Sequence, residues 1–336
     1  MVRKLYMAFL VAVVSAMPLA VQAVEATLYL SPNGSDANDG RSVKSSVRSL
    51  QRAVDLASKY AGKTVDAVRI QVAEGTYRRQ VTVLNKHVSG IDIIVAGSGG
   101  ARPVFDGQGM DGVWFSLKGE GQEKGRLIFE HLEVRNYLTA IILKGNRDNP
   151  NEFLDGNIIR DMVFRNIGQE NPKSKILSTS AVALVNARNN IIERSEFLNI
   201  RNVKTCVRLH SIYLAHYSSG NRISDNLFDG FCGSPIRLRD SSNNNIAARN
   251  RFSNVEYEAL FDEWYCNRSI SDDCTKKGLE CPSWGNVFES NVVTDLDFYK
   301  KSSYTKIHVP EIPAACLKEK EGLSRVKMDN SKSTER

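Results

Sequence analysis

Two short runs near the middle of the chain carry side chains suited to acid–base chemistry: Ile212-Tyr-Leu-Ala-His216 and Ile236-Arg-Leu-Arg-Asp240. Alternate residues of a β-strand face opposite ways, so Ile212, Leu214, Ile236 and Leu238 take one side while Tyr213, Ala215, Arg237 and Arg239 take the other. Strands stacked about 4.8 Å apart would set Tyr213 beside Arg237, with Arg239 one step along and His216 and Asp240 ending the strands at matching positions. Leu260-Phe-Asp-Glu-Trp-Tyr265 then brings Asp262 or Glu263 onto the same face, with Tyr265 close by. Removing a proton α to a carboxylate requires charge neutralisation, which the permanent charge and fork of arginine suit. It also requires a base, for which Tyr213 or His216 with a pKa lowered by the arginines would serve, and a proton donor such as Tyr265 or another tyrosine. Asp240, Asp262 and Glu263 could alternatively supply the acid and base of glycosidic hydrolysis. Trp264 and Trp284 suit sugar stacking in either chemistry.

These runs belong to a repeat. Ile212-x-Leu214, Ser218-Ser219 and Asn221 recur as Ile236-x-Leu238, Ser241-Ser242 and Asn245, and each copy closes alike: Asn221-x-Ile223-x-x-Asn226-x-Phe228, then Asn245-x-Ala247-x-x-Asn250-x-Phe252. Upstream the frame meets Asn190 to Phe197, Asn157 to Phe164 and a degenerate Leu127 to Val134; downstream it meets Asn286 to Val293. Rungs that share a frame and differ in loop length predict a solenoid that buries its core by stacking. The repeated Asn residues are expected to bond along a ladder at the turns. Phe164, Phe197, Phe228 and Phe252 are expected to stack inside.

Short strands bounded by Gly and Asn precede the repeats, at Val68–Val72, Val81–Val83, Ile91–Val95 and Pro103–Gly107. Before them, residues 46–61 put Leu50, Ala53, Val54 and Ala57 on one helical face, predicting a single amphipathic helix that caps the open end. The sequence thus reads as all-β, with one elongated domain over 24–299, expected to be a monomer. Residues 300–336, rich in Lys, Glu and Ser, are expected to form a loose polar tail, which Cys316 would tether.

Residues 1–23 have a basic start (Arg3, Lys4), an apolar run and a small-residue end at Ala23, the pattern of a secretory leader cleaved after Ala23. No later run is long and apolar enough to span a bilayer, so a periplasmic or secreted location is expected. Six cysteines, at 206, 232, 266, 274, 281 and 316, fit an oxidising compartment; their spacing leaves 15 pairings open and does not suit zinc. The formal net charge of +7 weakly favours anionic partners, and no aromatic–basic platform for nucleic acid stands out. Asp36 and Asp39 could bind calcium through oxygen ligands, but turn formation is the safer reading of them, so no metal or other cofactor is expected. Arg237 and Arg239 also have a plain structural use, as ion pairs with Asp262 or Glu263.

LYLSPNGSDANDG, SLQRAVDLA, AEGTY and the recurring NxIxxNxF together resemble the right-handed parallel β-helix proteins of the pectin-lyase-like superfamily, over about residues 27 to 298. The resemblance implies a single-stranded right-handed parallel β-helix and, as activity, a polysaccharide lyase, hydrolase or C5-epimerase, or glycan binding alone. HYSSGNRISDNLF followed by LRDSSNN is similar to the lyases of alginate and dermatan-type chains, with contexts like KSSxNxIxxNxF and LRHG. The arginine of that pattern falls on Arg239, its lysine on Tyr217 and its following histidine on Asp240. The implied partner is an acidic polysaccharide, cleaved by β-elimination. The alternatives are a glycoside hydrolase and a non-catalytic solenoid in exopolysaccharide export.

Overall fold

The computed structural model describes residues 24–119, 125–169, 176–267, 274, 279–295, 302–320 and 324–329. The expected leader, 1–23, lies outside the described residues. The chain winds as a parallel β-helix in which every strand pairing is parallel and the two large sheets hold 10 and 14 strands. The repeat sets the register. Ile212 pairs with Ile236, Tyr213 with Arg237, Leu214 with Leu238 and Ala215 with Arg239, after which Arg237 pairs with Asp262.

Apolar residues of alternating parity fill the interior. Ile212, Leu214, Ile236 and Leu238 are fully buried in one continuous core running from Leu28 to Phe288. Phe164, Phe197, Phe228 and Phe252 stack with ring centroids 4.9, 4.9 and 5.0 Å apart, the spacing that parallel rungs impose on identical side chains.

The turns carry the expected asparagine ladder. Asn157, Asn190, Asn221 and Asn245 each donate from the backbone N and from Nδ2 to the Oδ1 of the next rung's asparagine, at 2.8–3.0 Å, ending on Asn286. A second ladder runs from Asn226 through Asn250 to Asn291. These side chains are buried, and the ladder satisfies backbone groups that a turn would otherwise leave unpaired away from water.

The helix spans Leu50–Ser58, shorter than the expected 46–61. The Ser49 side chain caps it by accepting from the Arg52 N, and Val47 is drawn into a bridge with Leu30, which removes the first turn. Leu50, Ala53, Val54 and Ala57 are buried as expected. Asp36 accepts from the backbone N of Arg48 and Ser49 and from Ser49 Oγ, so it braces the helix entry; Asp39 accepts from the Arg41 N.

The stretch after 300 departs from the expected loose tail and the boundary at 299. Ser303–Ile307 pairs with Ala259–Glu263 and Val326–Asp329 with Asn286–Glu289, adding a further rung that covers the previous strand edge. Disulfides join Cys206 to Cys232, Cys266 to Cys274 and Cys281 to Cys316, the last tying this rung to the long insertion. Three disulfides fit an extracellular or periplasmic protein. No helix among the described residues is long and apolar enough to cross a membrane.

The ladder makes a direct prediction. Asn221→Ala strands the Asn190 donors in a buried turn and is expected to lower unfolding free energy by on the order of 2–4 kcal/mol, read as a shifted urea midpoint. A loss below about 0.5 kcal/mol would show that the ladder contributes little.

Candidate active site

The strands His210–Ala215, Ile236–Arg239 and Ala259–Glu263 present Tyr213, Arg237 and Asp262 as one column on the outer face. That face is not open to solvent as the strand pattern alone implies. The side chains of Arg237 and Arg239 are only 14% and 13% exposed, Arg239 being met by Glu280 of the Cys-rich insertion.

Arg239 is the hub. Its Nε donates to Glu280 Oε2 at 2.8 Å and its Nη2 to Glu280 Oε1, a two-point clamp; Nη1 donates to the Tyr213 hydroxyl at 3.1 Å. The Trp264 ring, half-buried, lies 4.6 Å from the guanidinium carbon. Glu280 also accepts from the Cys266 N at 2.7 Å, and Arg147 reaches it at 3.5 Å. Burial pushes the Glu280 carboxyl up, but the bonds and charge of Arg239 outweigh it, so its pKa is lowered. Burial raises the Tyr213 phenol against the pull of Arg239, and the phenol keeps its proton.

His216 and Asp240 close their strands in left-handed backbone, φ +51° each, which turns both side chains onto the outer face. His216 Nδ1 lies 2.7 Å from Asp240 Oδ2, while Asp240 Oδ1 accepts from the Cys281 N at 3.1 Å. With Nδ1–H donated to the carboxylate, the lone pair of neutral His216 resides on Nε2, the arrangement of an oriented base. His216, Asp240 and Glu280 each place one ligand-type atom within 4.8 Å of the others. Both oxygens of each carboxylate already accept hydrogen bonds, and Arg239 sits on Glu280, so the cluster suits a hydrogen-bonded network better than a cation.

Arg237 clamps Asp262 from Nε and Nη2, and His308 Nε2 donates to Asp262 at 2.7 Å. Burial raises the Asp262 carboxyl, yet Arg237 and His308 bring it down to about 2. This is the structural ion pair considered for Arg237; Arg239 pairs instead with Glu280.

Four expected site residues, Asp262, Glu263, Tyr265 and Trp284, are enclosed at 0–2% exposure, and His216 and Asp240 are nearly so at 5% and 7%. Asp262 and Glu263 are fully buried. Glu263 takes the register of inward-facing Leu238 and meets the Ser283 N at 2.7 Å and Arg325 Nε at 2.8 Å. Tyr265 is buried against the last rung, its hydroxyl donating to the Glu311 carbonyl and its ring under Arg325. Trp284 is 2% exposed, and its backbone N closes a turn on Asn243. Tyr217, half-buried, donates its backbone N to the Asp240 carbonyl at 2.9 Å. Sequence reasoning missed Glu280, Arg147 and His308. Glu280 alone left a signal, an acid directly before Cys281 in the insertion.

No protein-family model and no curated protein matches the sequence. Among solved structures the fold is similar to an alginate lyase from Paenibacillus sp. str. FPU-7, with TM-score 0.55 and 12% identity over 77% of this chain and 80% of that one. It is also similar to the GH136 lacto-N-biosidase from Eubacterium ramulus, with TM-score 0.54 and 12% identity over 80% of this chain and 56% of that one. The architecture is therefore a parallel β-helix, the fold that this chain shares with both of these solved structures.

Beside this network, burial and then Arg237 push the His210 imidazole down to about 3; its Nδ1 lies 2.9 Å from the Ser234 carbonyl. The unfolded chain takes up a proton near the ordinary 6.5, which the folded chain refuses until about 3, so stability is lost as pH falls through this window. Between about pH 7.5 and about pH 5 the loss should reach about 2 kcal/mol, and His210→Asn should remove most of that dependence in urea titrations. Equal pH dependence in the two proteins would contradict the assignment.

Proposed function

We propose that the protein acts on an acidic polysaccharide as a lyase, by β-elimination at a uronate. The observation that carries this reading is the pairing of the His216–Asp240 dyad with an arginine, Arg239, held in place by Glu280 and bonded to a protonated tyrosine. Arg239 has N–H groups left after its bonds to Glu280 and Tyr213, and Arg147 is only loosely engaged, so both can address the uronate carboxylate and the charge that builds on it. His216 Nε2 takes the C5 proton. The electron pair forms the C4–C5 double bond, the C4–O bond breaks, and the leaving oxygen takes the Tyr213 proton. Burial that raises the phenol pKa keeps the proton on Tyr213, which suits it to the acid role. The scheme uses side chains alone and needs no cofactor. Trp264 remains as a stacking surface beside Arg239.

Hydrolysis is less well supported. It needs a carboxyl with a raised pKa at the glycosidic oxygen. Glu280 and Asp262 are both lowered, while Glu263, raised by burial against the pull of Arg325, is shut inside. A C5-epimerase would use the same proton abstraction without bond cleavage. The likeness to an alginate lyase agrees with this chemistry at the level of fold.

Incubation with alginate, polygalacturonate and bacterial exopolysaccharides should produce the ultraviolet absorbance of an unsaturated uronate. His216→Gln and Tyr213→Phe should each lower that rate by roughly 10²- to 10⁴-fold with little change in the urea midpoint. New reducing ends without the chromophore would select hydrolysis. Binding with no chain shortening and no C5 inversion would select a glycan-binding solenoid.

A further inference from the structure

Arg188 lies one rung before the dyad, in the strand Ala187–Arg188, which pairs with Leu154–Asp155 apart from the two large sheets. Its Nε donates to the Tyr217 carbonyl at 3.2 Å and its Nη2 to the Pro150 carbonyl, while the Phe153 ring lies 4.2 Å from the guanidinium carbon. Two carbonyls and one aromatic face hold the fork rigidly. Unlike Arg237, Arg239 and Arg325, it has no carboxylate within 4.0 Å among the described residues. Asp155, the nearest acid to act on it, accepts from Asn189 Nδ2 at 2.8 Å and influences Arg188 only through its field. Partial burial without a touching counter-ion lowers the Arg188 pKa against the opposing field of Asp155.

The position is as telling as the missing partner. Tyr217 directly follows His216, so the carbonyl that holds Arg188 belongs to the turn that carries the base. The segment that supplies Pro150 and Phe153 also supplies Arg147, which reaches Glu280 at 3.5 Å. Asn186 Nδ2 fixes that segment by donating to the carbonyls of Asn146 at 2.7 Å and Asn149 at 2.8 Å. One loop thus contacts Arg188 through Pro150 and Phe153 and carries Arg147, which reaches the Glu280 beside the dyad.

We propose that Arg188 is the binding residue for a second oxyanion of the polymer, a carboxylate or a sulfate ester on a sugar next to the one at His216. The site would then require at least two charged groups along the chain, with Phe153 offering an apolar face to the ring between them. The inference rests on the proposed polysaccharide site but not on elimination as its chemistry.

Calorimetric titration of the full chain with short oligouronides, their methyl esters, and sulfated carboxyl-reduced oligomers tests it. Arg188→Gln should weaken binding of the charged oligomers roughly tenfold to a hundredfold, and its affinity should fall less steeply with salt. The methyl esters should bind wild type and variant alike. Arg188-dependent binding of either anionic oligomer upholds the oxyanion site, and whichever binds names the source. Arg188→Lys, which keeps the charge but loses the fork, should recover part of the affinity and guards against a folding defect in the glutamine variant. Unchanged affinity in both variants, equal losses with the esters, or no binding of any anionic oligomer by wild type would overturn the proposal. Arg188-dependent binding without unsaturated product would sink the lyase reading and leave this site standing. Unsaturated product with Arg188-independent affinity would do the reverse.

Discussion

In-register parallel stacking is the constraint on which everything else depends. A rung of a β-helix cannot bury its apolar side alone, and it leaves polar backbone at each turn. The asparagine ladder answers the second problem, since each side-chain amide satisfies its neighbour's backbone N and passes the pattern on. Because the ladder fixes which residue lies over which, it fixes the columns on the outside as firmly as the stacked phenylalanines inside. Tyr213, Arg237 and Asp262 form a column for the same reason that Phe197, Phe228 and Phe252 form a stack.

Stacking also creates an electrostatic problem. Arg237 and Arg239 are two residues apart on one strand, face the same way and are largely buried. Left unpaired, two such charges would be costly. The chain resolves this with a different source for each. Asp262 arrives from the next rung by register, while Glu280 arrives from the insertion, between the segments that carry the Cys266–Cys274 and Cys281–Cys316 disulfides. The cross-links hold a loop with no sheet pairing among its described residues over the strand that needs its charge. The later rung contributes equally, with His308 on Asp262 and Arg325 on Glu263.

What was legible in the sequence follows from this division. The period of the repeat was enough to align Tyr213 with Arg237 and Ala215 with Arg239, and to match His216 with Asp240, because strand parity and ladder spacing leave little freedom once the frame is found. Asp262 and Glu263 stayed ambiguous because the long insertion before Asn286 removes the fixed offset between their strand and the asparagine frame. Glu280, Arg147 and His308 were illegible for a related reason, since insertions and loops have no period and their contacts depend on how the chain folds back. Trp284 misled in the opposite direction. Its indole is large and sits in a polar, Cys-rich stretch, yet its backbone closes a turn on Asn243 and the ring is packed away. Polar composition after 300 suggested a fraying end, but two strands with in-register neighbours suffice to order a short segment whatever its charge.

The same pairing that tames the arginines shapes what the face can do. An arginine clamped by a carboxylate presents no bare positive field, so Arg239 cannot attract a polyanion as a free cation would. It offers fixed N–H groups instead, and fixed donors aimed at developing charge need no reorganisation as that charge appears. Under the proposed function, attraction over distance would come from cations with weaker ties, Arg147 at 3.5 Å from its acid and Arg188 with no acid in contact among the described residues. In the proposed reading the clamped and loosely held guanidiniums are thus complementary: the former would set geometry at the bond, and the latter would select a charged chain and lay it across the His216 dyad.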